Sequence, residues 1–252
     1  MRLPSIAKNT LAGAVRQPIF LVLLGIGAAV ILLAYPMTLF TFSEKGTAKM
    51  ILDMGIATVT LFSLLVAVFT ASTAITEEVD RRTVLTVLCK PVSRVEFVLG
   101  KYLGIVASGL IVLLLLTALF FASFALIQKK LEPQIVQGAA FSFLQVVVLS
   151  AVSVAVSTRF PMATNVVTCL ILYVVGNLCG GLMGIADASG TGARVAVRLL
   201  LLPLPNLSDF SFAHTAAAVS FPYLVACVAY AVLYSAFALG AAVLLFERRE
   251  LF

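Results

Sequence analysis

Charge is what this sequence has least of. Only 11% of its 252 residues are Asp, Glu, Lys or Arg, while 62% are hydrophobic, and the mean hydropathy is +1.14. A soluble domain carries about 25% charged residues, so a chain this apolar has no polar coat to hold it in water. The composition also excludes a disordered chain, a collagen and a disulfide scaffold. Histidine occurs once, at His214, with no second ligand or nucleophile near it in sequence. The four cysteines, Cys89, Cys169, Cys179 and Cys227, stand far apart and form no CxxC; they read as small apolar residues in or near membrane spans. HExxH and GxSxG are missing. So is GxxxxGK[ST]: Gly100-Lys101 imitates its end, but Tyr102 replaces the hydroxyl residue and Val95 the leading glycine. The chain therefore lacks a phosphate-binding loop, and ATP hydrolysis by that route is excluded. The first 18 residues have neither an apolar signal core nor a small-residue cleavage site, so the first span is expected to serve as the targeting signal.

What is present is long apolar runs. A span needs about 20 apolar residues to cross roughly 30 Å of hydrocarbon, and six runs qualify: 19–41, 52–75, 98–127, 136–157, 163–186 and 222–246. The expected class is an all-α membrane protein with a single domain over 1–252. With the N-terminus cytoplasmic, eleven Lys and Arg fall in inside segments and six in outside segments, which favours both termini inside. The net charge of +6 then reflects topology and contact with the lipid bilayer, and no nucleic-acid partner is expected. Residues 1–18 are too polar to span; Ile6, Leu11, Ala14 and Val15 share a rough apolar face opposite Lys8 and Arg16, as in a helix lying on the membrane surface. Residues 187–221 hold an apolar run too short to cross, ending at Pro203 and Pro205, and read as an outer re-entrant segment.

The span interiors are expected to hold no charge, with Asp53 at the outer edge of the second and Lys101 within snorkelling reach at the end of the third. On the fifth, Thr164, Asn165, Thr168 and Asn177 suit hydrogen bonding between helices. Gly176, Gly180 and Gly184 form a small-residue stripe for close helix packing or a dimer interface.

Nine of the charged residues are concentrated in ITEEVDRRTVLTVLCKPVSRVEFVLGKYLG, residues 75–104. Thr76 is expected to cap a short helix there, with Glu77, Glu78 and Asp80 in its first turn. Glu77–Arg81 and Glu78–Arg82 form i,i+4 pairs. Val84, Leu85 and Leu88 recur at helical spacing, and Pro91 stops the helix. Ser93 and Glu96 form the capping box of the next one, which runs into the third span. The predicted object is a rigid amphipathic helix over 77–90, between two spans, able to receive a soluble partner.

These residues resemble the permease subunit of six-span bacterial ABC-2 type transporters. The CKPVSRVEFVLGKYLG stretch carries Lys90, Pro91, Ser93, Arg94, Gly100 and Lys101 in the matching places, and PLPNLSDFS and the closing FERREL extend the similarity over nearly the whole chain. Arg82 departs from it, standing where the family often has glycine. The resemblance implies a homodimer paired with two copies of a cytoplasmic ABC ATPase, in the bacterial inner membrane. ATP and magnesium would be held by that partner and no cofactor by this chain. It implies that Glu77, Glu78, Asp80, Arg81, Arg82, Leu85 and Leu88 meet the ATPase, that Pro91, Ser93 and Arg94 shape the junction, and that transport is export. It also places the substrate path at the dimer interface, lined by spans two and five. A stand-alone facilitator and a membrane scaffold are the alternatives.

Overall fold

The computed structural model describes residues 3–37, 44–80, 94–128, 134–189, 204–211 and 221–247, with 194, 195, 197 and 201 as isolated positions. Among these residues the architecture is helical: α1 (Leu3–Arg16), α2 (Pro18–Met37), α3 (Glu44–Asp80), α4 (Arg94–Gln128), α5 (Gln134–Ser157), α6 (Met162–Ser189) and α7 (Phe221–Glu247), with a 3-10 turn at Ser208–Phe210. Five of the helices are long and apolar enough to span, and six if α1 and α2 count as one bent span. The protein is thus a multi-pass α-helical membrane protein, and α2 to α7 match the six apolar runs.

The break between α1 and α2 has a simple cause. Pro18 has no N–H to give the Ala14 carbonyl, so the Gln17 N–H takes that carbonyl instead, at 3.1 Å. Pro18 then opens α2 at a position where its missing donor costs nothing, and the two axes differ by 65°. A second break, at 158–161, joins α5 to α6. The Arg159 and Phe160 amides both bond the Val156 carbonyl, at 3.1 and 3.0 Å, and the Pro161 carbonyl receives the Asn165 amide.

α3 and α5 are the interior of the bundle. In their apolar stretches 67% and 56% of residues are buried, against 17% for α6 and 28% for α7. Close approach is set by small residues, as is usual where lipid removes the hydrophobic drive between helices. At Gly109 of α4, an added Cβ would meet Val146 Cγ1 at 2.9 Å and Ala67 Cβ at 3.2 Å, so three helices meet there. Peripheral helices turn apolar faces outward. On α6 these are Val167, Ile171, Val174, Leu178, Leu182 and Ile185, each more than 40% exposed.

Two helices run further than the apolar runs suggest. α3 starts at Glu44 and continues to Asp80. Thr76 therefore lies within the helix and does not cap a new one, and Glu77, Glu78 and Asp80 extend α3. Asp53 lies nine residues inside α3 but only four from the start of its span-length stretch Lys49–Ala74, near the end of the span as expected. α6 likewise continues to Ser189, past the expected end at 186.

Candidate functional site

Two regions concentrate polar chemistry in the bundle. The first is the end where α3 finishes and α4 begins. Arg94 is the first residue of α4 and Glu96 lies in its first turn, the placement that the Ser93/Glu96 pattern requires. Lys101, one turn further on, is 6% exposed. Its Nζ donates to the Ala74 carbonyl of α3 at 3.0 Å and stands 5.6 Å from the Phe97 ring centre. An ammonium held over an aromatic face and on a carbonyl compensates its own desolvation. The expected snorkelling is therefore replaced by a cross-link from α4 to α3.

α1 docks on the same end. A Cβ at Gly100 would fall 2.9 Å from Ile6 Cβ, and one at Gly104 would fall 2.6 Å from Thr10 Cβ and 2.7 Å from the Ala7 carbonyl oxygen. The two glycines, four apart on α4, form the groove that receives α1. The docked face is accordingly Leu3, Ile6, Ala7, Thr10 and Ala14, with Thr10 and Ala14 buried and Val15 exposed. Ile6 and Ala14 of the expected apolar face take part in this contact, and Val15 is left on the outside of the bundle. Gln17, at the break, donates Nε2 to Thr73 Oγ1 of α3 at 3.0 Å. α1, the end of α3 and the start of α4 thus form one tied unit. The coupling candidates Arg81, Arg82, Leu85 and Leu88 and the junction residues Pro91 and Ser93 lie outside the described residues. Of Glu77, Glu78, Asp80 and Arg94, the structure describes the helical backbone only.

The second region is a polar seam along α3, α5 and α6. Asn165 is fully buried and donates Nδ2 to Ser72 Oγ at 2.7 Å and to Ser153 Oγ at 2.9 Å, while Cys169 Sγ donates to its Oδ1 at 3.4 Å. One side chain thereby ties three helices, the use expected of it. Cys169, Cys179 and Cys227 are free and buried, as small apolar residues should be. Thr60 and Ser142 meet at 2.6 Å between α3 and α5.

Nearer the other end of the bundle, residues 204–211 enter it with no regular structure beyond the 3-10 turn at Ser208–Phe210. Leu207 and Phe210 are 0% and 2% exposed, and non-helical backbone at such depth must be satisfied by protein. The Leu207 amide donates to the Gly176 carbonyl at 3.1 Å, and Gln145 Nε2 donates to the Leu207 carbonyl at 3.2 Å. The Asn206 amide donates to the Tyr230 hydroxyl at 2.9 Å, and the Tyr223 hydroxyl donates to the Asp209 carbonyl at 2.6 Å. This contact also shows what the glycine stripe does. A Cβ at Gly176 would lie 2.8 Å from the Pro205 carbonyl oxygen, and one at Gly180 would lie 2.9 Å from Ser208 Oγ. Gly176 and Gly180 therefore admit the inserted segment instead of a second helix, and Gly184 has nothing within 4 Å.

Beside this insertion, Asp53, Thr60, Ser142, Gln145, Tyr173 and Asn177 line a cavity of about 260 Å³. Sequence reasoning placed Asn177 on its span and Asp53 at the edge of another, but brought neither to this cavity and did not single out Ser142 or Gln145. Their only sequence signal is polar residues at 53, 60, 142 and 145 inside otherwise apolar runs. A wider groove of about 940 Å³ between α4 and α7 is lined by apolar residues such as Val98, Val232 and Leu244 and has few groups that could orient a ligand.

Among the described residues no set of three or more His, Cys, Asp or Glu is placed to hold a metal. Span-length helices joined by buried polar ties define a polytopic membrane domain. The family described as ABC-2 family transporter protein matches residues 5–251, and the chain belongs to it. It is a transporter permease component, not itself catalytic, of a family that associates with ABC ATPases. No curated protein matches the sequence.

Proposed function

We propose that this chain is the membrane subunit of an ATP-driven exporter in the bacterial inner membrane, working as a homodimer with two cytoplasmic ABC ATPase subunits that hold ATP and magnesium. Both termini face the cytoplasm, as the excess of Lys and Arg on that side favours. The ATPase docks on residues 77–90, with Glu77, Glu78, Asp80, Arg81, Arg82, Leu85 and Leu88 as the contact set. Pro91, Ser93 and Arg94 set the turn into α4. The observation that carries this reading is the Lys101 bond to the Ala74 carbonyl. It ties together the two helices that bracket the docking segment, so a push on that segment displaces α3 and α4 together. α3 is the most buried span, and its displacement would be felt by every helix packed on it. The inserted residues 204–211 close the opposite, outer end.

The test is co-purification and ATPase stimulation with the double variant Glu78→Ala/Arg82→Ala. Loss of a docked charge pair would weaken assembly by about 2–5 kcal/mol if it is buried at the interface. Unchanged assembly and unchanged transport in the double variant would remove the coupling role of this segment. Nucleotide-independent flux by the purified chain alone would remove the ATP-driven reading altogether.

A further inference from the structure

The cavity beside the inserted segment differs from the rest of the bundle in what its walls offer. Its polar groups come from three helices at helical spacing: Asp53 and Thr60 on α3, Ser142 and Gln145 on α5, Tyr173 and Asn177 on α6. The donors of Thr60, Ser142, Gln145 and Asn177 are each engaged within the protein, and the Tyr173 hydroxyl, which can donate or accept, is the remaining one. The Thr60 hydroxyl donates to the Ile56 carbonyl at 2.8 Å, so its 2.6 Å contact with Ser142 uses the Ser142 proton and leaves the Ser142 oxygen as an acceptor. The Asn177 amide nitrogen is turned to the Tyr173 carbonyl at 2.9 Å, which turns its oxygen the other way. The Gln145 amide nitrogen is held by the Leu207 carbonyl, and its Oε1 is buried without any hydrogen-bond partner in a side chain only 4% exposed. A buried carbonyl oxygen left without a donor costs about 1–3 kcal/mol. A cavity lined by it is one where a donor is missing.

Acceptors on three sides and one carboxylate define the complement: a cationic group carrying several N–H donors. The volume is several times what one water or one bare metal ion occupies. Thr60 lies seven residues beyond Asp53 on the same face of α3, so the polar wall runs about 10 Å along the helix. We propose that this cavity binds the primary ammonium group of a small organic or lipid amine, with Asp53 supplying the charge and Ser142, Gln145 and Asn177 accepting from the ammonium. The Tyr173 ring adds a π face. The site stands independently of any coupling to an ATPase.

The test is isothermal titration of the purified chain in detergent with n-butylammonium chloride. Tetramethylammonium has the charge without N–H, n-butanol has the alkyl chain without the charge, and sodium chloride supplies a bare cation. Saturable binding of butylammonium is expected, with tetramethylammonium, butanol and sodium each weaker by about tenfold or more, the value of one charge-assisted hydrogen bond. Asp53→Asn keeps the shape and removes the charge, and it should weaken butylammonium by a similar factor. Ser142→Ala, a second variant in case the first fails to fold, should weaken it by about threefold or more. Absence of saturable binding overturns the proposal. So does equal binding by Asp53→Asn and Ser142→Ala, equal binding of tetramethylammonium or butanol, or competition by sodium at equal concentration. Repeating the titration in nanodiscs of phosphatidylethanolamine and of phosphatidylcholine separates the sources. Loss of apparent affinity in the first alone assigns the site to a lipid amine, and equal affinity in both assigns it to a soluble one.

Discussion

A β-carbon at Gly104 would sit against Thr10 Cβ and the Ala7 carbonyl of α1, and the second of these is backbone and cannot rotate away. Gly104→Leu should therefore lift α1 from α4 at a cost of about 1–3 kcal/mol, read as a lower thermal midpoint in detergent. Gly13→Ala is the control: nothing lies within 4 Å of it, and the gain in helix propensity should leave stability unchanged or raise it by up to about 1 kcal/mol. Asn165 is the opposite kind of residue, needed for what it bonds. Asn165→Leu removes the donors to Ser72 and Ser153 and should cost about 1 kcal/mol. Asn165→Asp should cost about 3 kcal/mol or more, because a carboxylate there can no longer donate and is buried without a counter-charge. An aspartate variant as stable as the asparagine protein in thermal unfolding would show that the seam is wetter than its full burial implies. The role of Asn165 was legible in the sequence because an amide in an apolar run has few uses other than to bond a neighbouring helix. The role of Gln145 was not, since its partner is the Leu207 carbonyl, sixty-two residues away in an irregular segment that no periodicity marks.

At the scale of elements, the spans were legible because length and hydropathy alone define them, and the residues that break them, Pro18 and Pro161, act locally. Helix extent was less so. EKGTAKM before the second apolar run and ITEEVD after it are polar, so hydropathy ends the span there. The first is mostly good helix formers and the second holds no Gly or Pro to stop a helix, so α3 continues through both from Glu44 to Asp80. That continuation puts helix on both sides of Asp53 while leaving it four residues from the end of the span-length stretch. The glycine stripe was legible as a place of close approach, but its partner was not, because glycine spacing says how near a neighbour comes and nothing about what it is. Gly176→Leu should drive the Pro205–Leu207 segment out and break the bonds of Leu207 to Gly176 and Gln145. Limited proteolysis should then cut near 204–211, where the parent chain resists. Gly184→Leu, with open space around it, should leave the cleavage pattern unaltered. Lys101→Met tests the other end. It keeps the packing of the stem and deletes the tie to Ala74, so the thermal midpoint should fall only slightly. ATPase stimulation by the reconstituted complex should drop several-fold if α3 and α4 must move together. Equal losses of stability and stimulation would instead mark Lys101 as a structural residue.

Which helices lie inside and which outside the whole molecule could not be read from hydropathy, because every span is apolar overall and the small hydroxyl residues of the seam lower it too little to mark a face. Burial decides it. α3 and α5 fill the interior, and α6 stands at the periphery with Val167, Ile171, Val174, Leu178, Leu182 and Ile185 exposed along one side. Gly176 and Gly180 face the inserted segment on roughly the opposite side of the same helix, so the stripe and the outward face are separate surfaces. A homodimer that places its substrate path between spans two and five would have to use the outward face of α6, which is continuous over most of the helix and free of charge. In a chain stripped of its other cysteines, Leu178→Cys should form a disulfide-linked dimer when membranes are oxidised, since partners across a twofold axis bring the same residue together. A cysteine at Leu233, more exposed than Leu178 but on α7, should remain monomeric under the same conditions. Cross-linking at Leu233 and not at Leu178 would move the dimer axis to α7. The acceptor-lined cavity among α3, α5 and α6 would then lie away from the dimer interface, and a ligand there could reach the path between two copies only through the body of one subunit.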